Sequence, residues 1–195
     1  MADTRVNKEF LIIFLDDHLS YSPSTLNLFY TLKKHYDVEL ISARQPGYYS
    51  VNEVVDANIK YIDFKVKRSL FDIIKVIFYK ISDKFTRPTK DLLAKRGLSN
   101  YKTKYIINYI RKTKREIIAK DTVAVWCAQQ AGKKAHLLSL EIFENDPYLK
   151  NIQLSAIKSV IIQSDARLNF MFPKEKPRYF VIQNAPKSID FVPAK

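Results

Sequence analysis

Phe10-Leu11-Ile12-Ile13-Phe14-Leu15 is an unbroken apolar run, entered from Glu9 and stopped by Asp16 and Asp17. Apolar and polar residues do not alternate along it. A strand wetted on one face alternates, whereas a strand covered on both faces does not. The run therefore reads as an inner strand of a parallel sheet with helices above and below.

The residues after the run fit that reading. Ser22-Pro23-Ser24 offers a cap and a proline suited to a first helical turn. Leu26, Phe29, Tyr30 and Leu32 then recur at helical spacing up to His35. A second strand is expected over 37–42, a turn at Gln45-Pro46-Gly47, a short helix near 50–56 and a third strand over 59–64. Two long helices are expected next, over 69–85 and 98–119. The first carries Leu70, Ile73, Ile74, Ile77, Phe78 and Ile81 in steps of three and four. The second carries Tyr101, Tyr105, Ile106, Tyr109, Ile110, Ile117 and Ile118. Strand and helix then alternate again. Strands are expected over 122–126, 135–140, 159–163 and 178–182, and helices over 128–134, 147–156 and 166–172. This order predicts an α/β fold: a Rossmann-like, doubly wound, mostly parallel sheet of about seven strands, with helices on both faces.

The composition narrows the chemistry. The chain has 195 residues and three glycines, Gly47, Gly97 and Gly132, against an average usage of about 7%. None lies near another, so neither G-x-G-x-x-G nor a Walker loop is present. Cys127 is the lone cysteine, which leaves no disulfide and no thiolate zinc site. His18, His35 and His136 are far apart, and no protein-held metal is expected. The polar N-terminus does not suit a secretory signal, and no run reaches the ~18 apolar residues of a membrane span.

The charge is concentrated. Of the 33 Lys and Arg, 18 lie in residues 60–120, with five of the 20 Asp and Glu. That segment therefore carries the whole net charge of +13, and the rest of the chain is neutral. Such a local field points to an anionic partner for the segment. Lys67, Arg68, Lys75, Lys80 and Lys84 flank an apolar stripe, as in helices that lie on anionic membranes. Arg111, Lys112, Lys114 and Arg115 extend the patch. Tyr101, Tyr105 and Tyr109 among lysines also suit nucleic acid, but no known nucleic-acid module is present and that partner is not expected. A solvated helix face is the third reading.

Four segments, in this order, resemble the N-terminal domain of a GT-B glycosyltransferase, most closely of family 4. They are the first strand running into its polar turn (Phe10 to Ser20), Leu138-Ser139-Leu140-Glu141 at a late strand end, Ser159 to Ser164 leading to Arg167, and Phe180-Val181-Ile182-Gln183-Asn184-Ala185-Pro186. The resemblance implies one Rossmann-like acceptor-side lobe over 1–186, with the basic helical segment at 65–120 and a linker or tail at 187–195. It implies transfer of a sugar from a nucleotide-sugar donor to a glycan or lipid-linked acceptor, with retention of configuration, in polysaccharide biosynthesis. The donor would be held by a C-terminal domain in the same or a separate chain, so this lobe alone is expected to be inactive and to need no cofactor. Its place would be cytoplasmic, peripheral on the inner face of the plasma membrane. Two departures stand out: family members often have glycines where this chain has Asp16-Asp17-His18, and Pro-Asn where it has Gln183-Asn184. A non-enzymatic basic α/β binding module is the competing class.

The strand ends then name the candidates. His18, oriented by Asp17, would act as base on an acceptor hydroxyl; the plainer role of the loop is to cap the next helix. Asp16, Gln129, Glu141, Glu144, Ser164 and Arg167 would bind the acceptor. Glu144, with Asn145 and Asp146, could equally favour a helix N-terminus. Cys127 reads as inert packing.

Overall fold

The computed structural model describes residues 8–15, 19, 22–43, 54–62, 69–85, 101–139, 146 and 148–182, and only the backbone of 83–85. The strands are β1 (Glu9–Phe14), β2 (Asp37–Ala43), β3 (Ile59–Ile62), β4 (Glu116–Lys120), β5 (Ala135–Ser139), β6 (Ile157–Ile162) and β7 (Tyr179–Val181). The helices are α1 (Pro23–Lys33), α2 (Leu70–Phe85), α3 (Tyr101–Lys112), α4 (Thr122–Gln130) and α5 (Asp165–Met171). Two 3-10 turns, Leu149–Asn151 and Leu154–Ala156, lie between β5 and β6.

All seven strands are parallel and stand in the order β3-β2-β1-β4-β5-β6-β7. β1 is central, and Ile12 lies in register with Leu40 of β2 and Ile118 of β4. The unbroken run at 10–15 is explained by what covers it. Leu11 and Ile13 enter one core with Ile106, Ile110, Ile117, Ala124 and Leu168, contributed by α3, β4, α4 and α5. Ile12 and Phe14 enter the other with Phe29 of α1, Val38, Leu40, Ile118 and Leu138. Leu11 to Phe14 are fully buried, and each such side chain stabilises the fold by about 1.5–3 kcal/mol relative to exposure.

Two expected elements move. The helix expected over 98–119 ends at Lys112, and Ile117-Ile118 belong to β4. The strand expected over 122–126 is the first half of α4. Thr113 and Lys114 occupy the positions where an apolar stripe continuing from Ile106 and Ile110 needs its next members, so the helix has nothing to bury there. In α4, Ala124, Val125, Cys127 and Ala128 are all fully buried. A helix buried on several sides has no one-sided stripe, and its valines then look like strand. Residues 54–56 are not helical, whereas the turn at 45–47 and positions 50–53 and 63–64 lie outside the described residues. Residues 149–156 form 3-10 turns in place of an α-helix.

Candidate functional site

In an open parallel sheet, ligands bind beyond the carboxyl ends of the strands, where the winding reverses. Here that point lies between β1 and β4. The chain steps outward from β1 through β2 and β3, then returns to the other side of β1. β4 brings Lys120 and Asp121 to it.

Lys120 points into the same face as Ile118 and is buried against β1. Its Nζ lies 4.5 Å from the centroid of the Phe14 ring and 3.2 Å from Asp121 Oδ2. The two side chains are only 10% and 12% exposed. Asp121 has φ 75° and ψ 162°, a backbone region nearly confined to glycine, which costs about 1–3 kcal/mol in any other residue. It is the one non-glycine with positive φ among the described residues. The surroundings hold it there: its N–H donates to the Leu138 carbonyl (3.3 Å), and its carbonyl accepts from the Val125 N–H (3.4 Å).

The next residues extend this edge. The Thr122 hydroxyl donates to Asp146 Oδ2 at 2.5 Å. Asp146 Oδ1 accepts from the N–H groups of Tyr148 (2.8 Å) and Leu149 (3.3 Å). The segment after β5 is thereby tied to the start of α4, and Asp146 opens a 3-10 turn, close to the helix-opening role that the sequence suggests for the acids before Pro147. At the end of β6, Ser164 caps α5, its Oγ accepting from the Arg167 N–H at 3.3 Å. The Arg167 guanidinium donates to Gln163 Oε1. The edge thus presents a buried ammonium–carboxylate pair, hydroxyls and a guanidinium. Such groups hydrogen-bond hydroxyls or anions. They include no activated nucleophile. Burial pushes the Cys127 thiol up to about 12, so it is inert packing. Among the described residues no His, Cys, Asp and Glu cluster could hold a metal.

Of the residues expected from sequence, Ser164 and Arg167 lie on this edge. Asp16, Asp17, His18, Glu141, Glu144, Lys67 and Arg68 lie outside the described residues. Gln129 does not belong to this edge. Its expected place depends on reading 122–126 as a strand; with that segment helical, Gln129 falls in the last turn of α4, at the opposite end. Its amide donates to the Asn151 carbonyl (3.0 Å) and accepts from the Gln153 N–H (2.7 Å), pinning the 3-10 turns. Lys120 and Asp121 escape the sequence reading, although Ile117-Ile118-Ala119 ends in two charges as the β1 run does.

The basic residues separate into two groups. Arg115 bonds Asp37 (2.7 Å) and lies 3.6 Å from Glu39, and the Asp37 hydrogen bond raises its pKa. Arg111 donates to the Gln130 carbonyl (3.2 Å) and Asn108 (3.4 Å). Lys112 and Lys80 are exposed, while Lys75 is half-buried on α2; the Lys84 side chain is not described. Tyr101, Tyr105 and Tyr109 pack against the core, which leaves their faces poorly placed to stack on bases.

The amino edge of the sheet holds two further constellations. One is a cavity of about 520 Å³ lined by Asp37, Glu39, Asn58, Lys60 and Arg115, among others. Asp37, Glu39 and Arg115 already pair with one another. Besides the Arg115 pairs, Lys60 Nζ stands 4.8 Å from the Tyr109 ring centroid. The Tyr109 hydroxyl donates to Glu39 at 2.5 Å, and burial above all raises its pKa. The other joins three neighbouring strands. His136 Nε2 lies 2.9 Å from Glu116 Oε1, its Nδ1 lies 2.7 Å from Ser159 Oγ, and Lys158 also bonds Glu116. The trio has the order of a hydrolase triad, but Ser159 is buried within β6 and no substrate carbon reaches it. It is a cross-strand brace.

Compared with known proteins, the sequence matches no family model and no curated protein. No helix among the described residues is long and apolar enough to cross a membrane.

Proposed function

We propose that this chain is the acceptor-side lobe of a GT-B glycosyltransferase, with its cleft along the carboxyl edge between β1 and β4. The observation that carries the reading is the buried Lys120–Asp121 pair, held in a strained backbone at the reversal of an all-parallel sheet. Strain of this kind persists where the surroundings enforce it, and it collects at ligand sites. In this reading Lys120 and Asp121 bind acceptor hydroxyls, and Ser164 and Arg167 line the same cleft. The nucleotide-sugar donor belongs to a second domain. The reaction is sugar transfer to a glycan or lipid-linked acceptor at the cytoplasmic face of the plasma membrane.

Amide NMR of the 195-residue chain, titrated with a panel of oligosaccharides, tests the acceptor role. Shifts clustered at Asp121, Thr122, Ser139 and Ser164 are expected with at least one glycan. Shifts confined to the amino edge around Asp37 and Arg115, or none with any glycan, would overturn it.

A further inference from the structure

We infer that α2 is a docking helix that lies in the interface of an anionic lipid bilayer. This does not depend on the glycosyltransferase reading. The helix starts at a reciprocal cap. Ser69 Oγ accepts from the Asp72 N–H (3.2 Å), and the Asp72 carboxylate accepts from the Ser69 N–H (3.2 Å) and hydroxyl (2.6 Å). The placement of its faces is inverted relative to a core helix. Asp72, Lys75, Val76, Tyr79 and Ser82 are half-buried, and Asp72 feels the charge of Lys104 on α3. The opposite face is apolar and open. Leu70 is 74% exposed, Phe71 72% and Phe78 66%, with Ile73, Ile74, Ile77 and Ile81 exposed beside them. Seven large apolar side chains on one helix face are not scattered surface residues, and a contiguous exposed patch marks an interaction site.

Charge selects the occupant. Lys75 and Lys80 flank the stripe on its two sides, and the 60–120 segment that contains α2 carries all of the net +13. A second copy would bring two such segments face to face and repel. An anionic bilayer attracts the lysines while it takes up the phenylalanines, leucine and isoleucines. Length sets the mode. Sixteen residues make a helix of about 24 Å, short of the roughly 30 Å hydrocarbon core, so α2 lies along the surface.

Vesicle flotation tests this, with phosphatidylcholine alone and with added phosphatidylglycerol. The protein is expected to float with anionic vesicles at low salt, to remain behind with neutral ones, and to be released by salt. Phe71→Ser with Phe78→Ser removes exposed side chains only, so the far-UV spectrum should hold while binding falls at least about tenfold. Lys75→Glu with Lys80→Glu should weaken it by a similar factor. Three results would overturn the inference: no binding to anionic vesicles, binding indifferent to the two phenylalanines, or a wild-type dimer in sedimentation velocity that the phenylalanine variant converts to monomer.

Discussion

Glu116 shows how much a single residue holds here. It is half-buried at the start of β4, where His136 and Lys158 both donate to it. The hydrogen bond from His136, together with that from Lys158, pulls its pKa from 4.5 down to about 2. A carboxyl group that is more acidic in the fold than in the unfolded chain stabilises the fold above the unfolded value. That contribution is lost as pH falls from 4.5 towards 2. With Lys158 half in solvent, it amounts to about 2 kcal/mol. Glu116→Gln should therefore lower stability by about this much at neutral pH and show little further loss across the acid window. Urea unfolding at neutral pH and at about pH 3 measures both; an unchanged acid slope in the variant would show that Glu116 is not the group responsible. Asp121 is the contrasting residue, since its strain and its ion pair are invisible in the sequence. Nothing in the letters Lys-Asp-Thr announces φ 75°, because a neighbouring strand and helix impose it from outside.

At the scale of elements, legibility follows burial geometry. β1 and α1 are plain because an apolar run and a one-sided stripe are periodic signals. β4 and α4 exchange places in a sequence reading because both are buried on more than one side. In that state strand and helix carry the same apolar letters, and β-branched Val123 and Val125 tip the reading towards strand. α2 is legible as a helix, yet its stripe faces away from the core. An amphipathic pattern states that a face exists without stating what covers it. The contrast gives a measurement. Ile118 in β4 is 4% exposed, so Ile118→Ala should destabilise the fold by about 2–4 kcal/mol. Ile74→Ala on the open face of α2 should change stability by less than about 0.5 kcal/mol. Equal losses at the two positions in thermal unfolding would contradict the inverted placement of α2.

At the scale of the molecule, the alternation of elements is enough for a seven-stranded, doubly wound parallel sheet. Strand order follows from how such sheets wind, and the order places β1 and β4 side by side. The candidate edge is legible in part. Ser164 and Arg167 come after a strand whose end is clear, whereas Lys120 and Asp121 need the correct β4, and Gln129 is misplaced by the incorrect one. The charge is legible only as a total for its segment. Arg111 and Arg115 use theirs within the fold, and α2 keeps Lys75 and Lys80 beside an open apolar face.

Sugar transfer at that edge is measured directly as release of nucleoside diphosphate by this lobe together with its donor-binding domain, whether that domain is in the same or a separate chain. UDP-glucose, UDP-N-acetylglucosamine and GDP-mannose are each offered with a detergent-solubilised lipid extract as acceptor source. The expected result is release from at least one donor, dependent on the extract, and a fall of about tenfold or more in kcat/KM for a folded Asp121→Asn variant. A folded lobe that releases nothing from any donor in the presence of its donor-binding domain, or an Asp121→Asn variant as active as the parent, would contradict it.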